Sequence, residues 1–330
     1  MDPRIFLLID KHDNFSYSFI KRLTRWPLKE VYPPISFNQI KLQWFTGVIK
    51  VLHLSRRGDV IVCLFDFQAV FAAVLCALFC LKREIICVNL LLDQNAGIKN
   101  RLVSKMYRKA LSFPFFHASV TSVAYGEWLN QKLGTCADFT LLRDVMLQSY
   151  EMERKDIRPN VFCGGRNGRD WKFLYELAAD APEINFSIIV PTAVNTVYHF
   201  EKLQNVTCMT DVGNDVFMKE LCRSSILCMP LSKQAPAGLI VMFQAAANRI
   251  PIIATSTVTT REYLSDGRGI LLGNDVSAWH TALSAAVNAR ELQQMADRFY
   301  AFCVSQCSEE VFVLTLDKMI AELYENPSCK

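Results

Sequence analysis

The stretch VFCGGRNGRDW, residues 161–171, sets two arginines, Arg166 and Arg169, on a glycine-bearing turn. An apolar run ends at Cys163, and a helical pattern with Phe173, Leu174, Leu177 and Ala178 on one face follows. Guanidiniums bring fixed charge and forked donors that suit a diphosphate. The helix start adds backbone N–H groups and a favourable dipole. Gly165 permits the tight turn. The spacing G-G-R-N-G-R is not the G-x-G-x-x-G dinucleotide fingerprint. A solvated surface turn is the alternative.

A second stretch, APAGLIVMFQAAAN (235–248), raises the same chemistry. Pro236 suits a first helical turn, where no N–H is needed. Ala237 and Gly238 leave room for a ligand to approach the backbone. The N–H groups at Gly238, Leu239 and Ile240 would meet an anion. Gln244, on the same helix, offers a carboxamide that both donates to and accepts from sugar hydroxyls. Its alternative is a buried side chain bonded to backbone. In ATSTVTTREYLSDGRG (254–269), Thr259 and Glu262 fit a T-x-x-E capping box. Thr257 and Thr259 are also candidates for ligand hydroxyl contacts.

The first half is less explicit. Asn14 and Ser16 follow the first apolar run, Asp66 the second and Asp93 the third. Each is a candidate contact for an acceptor hydroxyl, with Asp93 the candidate nearest to a catalytic role. A lone Asp in such a loop also serves as a helix cap.

Elements that alternate must hold these loops. Strand patterns fall at 5–9, 59–65, 84–92, 118–122 and 139–142, then at 160–165, 185–191, 205–210, 224–230, 250–255 and 269–273. They are short, β-branched and apolar throughout, as parallel strands covered on both faces are. Helical patterns lie between them. The polar stretch QSYEMERKDIRP (148–159) separates two such runs. An α/β chain of two doubly wound, Rossmann-like domains follows, 1–155 for an acceptor and 156–330 for a nucleotide sugar. A terminal helix at 308–325, capped by Ser308, is expected to pack back on the first domain.

The C-terminal motifs resemble the group 1 family of retaining GT-B glycosyltransferases, in particular bacterial polysaccharide-assembly members. The resemblance rests on GGRNGRDW (164–171), APAGLIVMFQAAA (235–247) with IPIIAT (250–255), and TTREYLSDGRGILL (259–272). It implies a GT-B fold with two domains facing a cleft. It implies donor binding by Gly165, Arg166, Arg169, Pro236, Ala237, Gly238, Leu239, Ile240, Gln244, Thr259 and Glu262, with Arg166 and Arg169 stabilising the leaving diphosphate. It implies no metal and no cofactor, the co-substrate being a UDP- or GDP-linked sugar. The acceptor would be a saccharide or lipid-linked saccharide. This chain departs from the family's E-x7-E pattern, whose two acids fall on Pro236 and Gln244. A non-catalytic sugar-nucleotide-binding or partner subunit is therefore a rival, as is a sugar-nucleotide epimerase.

The formal net charge is +4. Residues 1–155 hold 21 Lys/Arg and 13 Asp/Glu, or +8; residues 156–330 hold 15 and 19, or −4. The basic half suggests contact with an anionic membrane surface through Lys21, Arg22, Arg25 and Lys29. No nucleic-acid partner is expected. Twelve scattered cysteines and no export-signal pattern suggest a cytoplasmic protein, peripheral at the inner face of the membrane. The longest apolar run, 69–81, is too short to span a bilayer.

Overall fold

The computed structural model describes residues 4–9, 17–33, 40–92, 98–286 and 290–325. The chain divides into two compact units, one built from 1–144 with 309–330 and the other from 145–308.

The first unit runs β1 (Ile5–Leu8), α1 (Ser18–Leu23), β2 (Leu28–Val31), α2 (Ile40–Leu54), β3 (Val60–Cys63), α3 (Asp66–Leu78), β4 (Glu84–Cys87), α4 (Ile98–Leu111), β5 (Phe116–Val120), α5 (Val123–Leu133) and β6 (Thr140–Leu141). The second runs β7 (Arg158–Gly164), α6 (Trp171–Asp180), β8 (Asn185–Val190), α7 (Thr192–Tyr198), β9 (Val206–Thr210), α8 (Asn214–Arg223) and β10 (Ser224–Met229). It continues with α9 (Leu239–Ala247), β11 (Ile252–Thr255), α10 (Val258–Leu264), β12 (Ile270–Leu272), α11 (Val276–Ala286) and α12 (Arg290–Gln306). Helix α13 (Glu309–Glu325) belongs to the first unit.

Each unit holds one six-stranded parallel sheet. The orders are β2-β1-β3-β4-β5-β6 and β12-β11-β10-β7-β8-β9. The second is the 3-2-1-4-5-6 order of a doubly wound sheet, with its reversal between β7 and β10. Alternation along its central strands explains the layers. Val161 and Cys163 on β7, with Ile226 and Cys228 on β10, pack under α6 beside Phe173, Leu177 and Trp279. Phe162, Leu227 and Met229 face the other way, against Met242, Ala245 and Phe299. Both faces are thus apolar, which is why these strands read as continuous hydrophobic runs.

One strand was not legible. In LKEV, residues 28–31, only Val31 is buried, and the strand lies at a sheet edge beside β1. An edge strand needs little apolar surface. The neighbouring basic stretch is also tied inward. Lys21 pairs with Glu30 at 3.2 Å and Arg22 with Glu309, while Arg25 lies over Trp26 and Lys29 over Phe6. Acids therefore match Lys21 and Arg22 within the unit, while Arg25 and Lys29 sit over aromatic rings without an acid partner among the described residues. Helix α13 meets the same region. Thr24 Oγ1 donates to Asp317 Oδ1 at 2.6 Å, Trp26 stacks on Tyr324, and Phe19 meets Phe312 edge-on.

The polar stretch 148–159 is anchored to the second unit. Met152 N–H donates to Asn248 Oδ1 at 2.8 Å, and Arg154 donates to the carbonyls of Cys222 and Ser224. The cysteines among the described residues are free thiols.

Candidate functional site

Two loops meet where the second sheet reverses. Gly165–Asp170 leaves β7, and Pro230–Gly238 leaves β10. Backbone bonds join them: Asp170 N–H donates to Pro230 O at 3.0 Å, and Ser232 N–H to Gly168 O at 2.9 Å. Leu231 N–H donates to Thr255 Oγ1 at 2.7 Å, and Thr255 Oγ1 donates to Asn274 Oδ1 at 2.6 Å. Asn274 Nδ2 donates in turn to Asp170 Oδ2 and Leu231 O. Asp170 also caps α6 by accepting from Phe173 N–H. Single-residue reading could not find Thr255 and Asn274 as supports, because their partners are remote in sequence.

Arg169 lies between the loops and is only 6% exposed. Its Nε donates to Gly164 O at 2.9 Å, Nη1 makes a long 3.5 Å contact with Asn167 O, and the buried Nη2 has no hydrogen-bond partner. Burial pushes its pKa down, yet a guanidinium stays charged in a protein. A buried cation without a matching anion is energetically costly.

Three glycines make the space. Gly165 has φ of 120°, and a Cβ there would stand 2.9 Å from Arg169 Nη2. Gly168 has φ of 68°, and its Cβ would meet that of Ala237 at 2.5 Å. Gly238 has φ of 80° and is the N-cap of α9, with no side-chain capping bond. The backbone N–H groups that open α9, Leu239 and Ile240 among them, therefore begin beside the guanidinium. Pro236 lies in the loop ahead of the helix, not in its first turn as expected. The left-handed Gly238 has to turn the chain first.

Arg166 is exposed and pairs with Asp211 at 3.2 Å; Asp211 also accepts from Thr192 N–H at 3.0 Å. That hydrogen bond, with the nearby Arg166, holds the Asp211 carboxyl below its ordinary pKa. A cleft of about 120 Å³ opens beside it at the ends of β7, β8 and β9, lined by Gly165, Arg166, Val190, Pro191, Asp211, Val212 and Phe217 among others.

Gln244 is 5% exposed, and its Oε1 is buried without a partner. The capping box sits two residues earlier than expected. Thr257 Oγ1 accepts from Thr260 N–H, and Thr260 Oγ1 accepts from Thr257 N–H. Thr257 has extended backbone angles and Thr260 fills the third helical position, so Thr259 and Glu262 do not form the box. Thr259 is buried with Oγ1 unpartnered.

In the first unit, Asn14, Ser16 and Asp93 lie outside the described residues. Asp66 opens α3 beyond β3, at the reversal of the first sheet. Both its oxygens are engaged. Oδ2 accepts from Tyr107 Oη at 2.6 Å and Leu91 N–H at 3.2 Å, and Oδ1 from Phe67 N–H at 2.7 Å. Two residues on, Gln68 is fully buried with neither Oε1 nor Nε2 bonded. No group of three or more His, Cys, Asp or Glu among the described residues is placed to hold a metal, and no described helix is long and apolar enough to cross a membrane.

No protein-family model and no curated protein matches the sequence. Solved structures do match in fold. A sucrose-phosphate synthase (tll1590) from Thermosynechococcus elongatus superposes with a TM-score of 0.76 at 11% identity, over 98% of this chain and 99% of that one. Anabaena Alr3699/HepE in complex with UDP gives 0.66 at 15% identity, over 98% and 99%. TarM gives 0.64 at 12% identity, over 86% of this chain but only 58% of its own. With two six-stranded parallel sheets flanked by helices, the chain has the two-domain α/β GT-B fold of these proteins.

Proposed function

We propose that the chain is a glycosyltransferase. It moves a sugar, a hexose in this reading, from a UDP- or GDP-linked donor to a saccharide or lipid-linked saccharide, with retention of configuration, in surface polysaccharide assembly. One observation carries the reading: Arg169, a buried cation with an unbonded Nη2, held between Gly165 and Gly238 at the start of α9. A diphosphate there would accept from Nη2 and from the N–H groups of Leu239 and Ile240. As the acceptor oxygen bonds to the anomeric carbon, the bond from that carbon to the donor diphosphate breaks, the diphosphate oxygen gains charge, and the acceptor's proton passes to an oxygen of the departing diphosphate. Arg169 and the helix start stabilise the growing charge, the task a metal performs elsewhere. Arg166, once released from Asp211, would add to it. The base would enter the cleft between Val190 and Phe217. Gln244 would bond the ribose, and Thr259 and Glu262 complete the donor wall. The acceptor would approach the first unit, with Asn14, Ser16, Asp66 and Asp93 as its proposed contacts. The setting is the cytoplasmic face of a membrane.

Calorimetry with UDP, GDP and the bare nucleosides tests this. Arg169→Ala is expected to weaken the diphosphates by about 1.5–3 kcal/mol and to leave nucleosides nearly unchanged. Equal loss for both ligands would mean that Arg169 supports the fold and does not read phosphate. A second reading, a non-catalytic sugar-nucleotide-binding subunit, is favoured by Pro236 and Gln244 at the positions of the family's two acids. Release of nucleoside diphosphate on adding an acceptor separates the two.

A further inference from the structure

The N-terminal edge of the first sheet carries an unmatched combination of residues. Three successive helix-to-strand turns lie side by side there, because β3, β4 and β5 are neighbours in the sheet. Gly58 N–H donates to Lys82 O at 2.9 Å, joining the turn before β3 to the turn before β4. Ile85 N–H donates to Phe115 O at 2.9 Å, joining the start of β4 to the turn before β5. The middle turn exposes two large apolar side chains in sequence, Leu78 at 69% and Phe79 at 65%. Arg57 and Lys82 on these turns, with Arg108 and Lys109 on the last turn of α4, are exposed and have no ion pair among the described residues; Lys109 Nζ lies 5.3 Å over the Phe113 ring. The acids of these turns are withdrawn: Asp59 is buried against Arg4, and Glu84 is buried against His117.

We infer that this edge docks on an anionic lipid bilayer, with Leu78 and Phe79 entering the headgroup–acyl boundary and the four cations facing lipid phosphates. Exposed leucine and phenylalanine side by side are out of place in water, and their transfer to an apolar phase is favourable. A ring of unpaired cations selects an anionic surface, and each is attracted within a Debye length of it. Helix α4 extends the surface, with Arg101, Lys105 and Lys109 at helical i, i+4, i+8 spacing and Leu102 62% exposed beside them. Leu78 and Leu102 have no ring to stack on a base, which favours lipid over nucleic acid. This edge is the opposite end of the sheet from Asp66, so the inference goes beyond the acceptor reading and does not rest on it. Its readout is nucleotide-free, so docking and sugar transfer can fail separately.

Flotation of the full chain with phosphatidylcholine vesicles, with and without phosphatidylglycerol, tests it. Binding is expected only to the anionic vesicles, and to fall between about 50 mM and about 500 mM salt, as the Debye length shrinks to a few ångströms. The triple variant Arg57→Gln, Lys82→Gln, Lys109→Gln should bind about a hundredfold more weakly, about fivefold for each charge removed. Leu78→Ser with Phe79→Ser should also release the protein, and Arg25→Gln should not. All these side chains are exposed or on the surface, and melting temperatures confirm that the variants fold. Equal binding to neutral vesicles, binding undiminished in the variants, or no binding overturns the inference. So does retention on single-stranded oligonucleotides that the same variants abolish.

Discussion

A Cβ on Gly238 would stand 2.6 Å from Nη1 of Arg169 and 2.9 Å from Sδ of Met229. The glycine and the arginine therefore define one site, since no side chain can be added at 238 without moving the guanidinium. Gly238→Ala is expected to lower stability through its left-handed φ of 80°, by roughly 1–2 kcal/mol, and through displacement of the guanidinium. Adding Arg169→Ala removes the second part only. A double-mutant cycle on melting should show coupling on the order of 0.5–3 kcal/mol. Strict additivity would mean that the two residues do not share the space.

Arg169 also sets function against stability. Arg169→Met keeps much of the side-chain volume and removes a buried charge that no acid among the described residues neutralises. The nucleotide-free protein should then be at least as stable as wild type, while UDP no longer raises its melting temperature. A large loss of stability in the variant would point to a structural role.

Gln244→Leu should leave the fold intact, or stabilise it slightly, because it removes an unsatisfied buried Oε1. Donor affinity should fall by about 1–2 kcal/mol and return in part with Gln244→Glu. Donor binding equal to wild type in the leucine variant would make Gln244 a core residue.

Gln68→Leu is the matching test in the first unit. Both polar atoms of this buried carboxamide are unbonded, so replacement should stabilise by about 1–3 kcal/mol. Polar groups kept at such a cost commonly serve a ligand. The urea midpoint reads the first effect, and the acceptor KM reads the second. A destabilised variant would mean that the amide is satisfied in solution.

Asp66 and Asp59 should shape the pH dependence in opposite directions. Burial raises the pKa of Asp66 despite bonds from Tyr107, Phe67 and Leu91. Its contribution is therefore full below the unfolded value, about 3.9, and fades as pH rises through the folded value. For Asp59 burial also pushes upward, but the bonds from Arg4 and Arg56 outweigh it and the pKa falls. That contribution is present above about pH 4 and is lost as pH falls through the folded value. Urea midpoints followed across pH should show Asp66→Asn flattening the decline above pH 4, and Asp59→Asn flattening the acid limb. Unchanged slopes in both would refute the assignment.

The central strands were legible because Ile5–Leu8, Val60–Cys63 and Ile252–Thr255 are buried along their whole length. Such runs need no knowledge of their partners. Leu28–Val31 was hidden because an edge strand alternates with water. The loops around Arg166 and Gly238 were legible from glycine and arginine content. Local sequence cannot distinguish exposed Arg166, paired with Asp211, from buried Arg169, because that difference depends on Gly238 and Met229, some 60–70 residues away by sequence number. The cap fell on Thr257 and Thr260 because a threonine at the third position can stand in for glutamate. In the basic stretch at 21–29 the partner of Arg22 could not be read locally, because Glu309 lies far along the chain.

Helix α13 makes the first unit discontinuous: its earlier part ends at Asp144 and its last part begins at Glu309. During synthesis the second unit, Val145–Ser308, is therefore complete while the first still lacks the helix that covers Phe19, Thr24 and Trp26. At roughly 5–20 residues per second the wait is about ten to thirty seconds. The nascent first unit must keep that apolar surface from other chains until its own C-terminal helix arrives. The usual N-terminal-first order of folding is thus inverted for its last step.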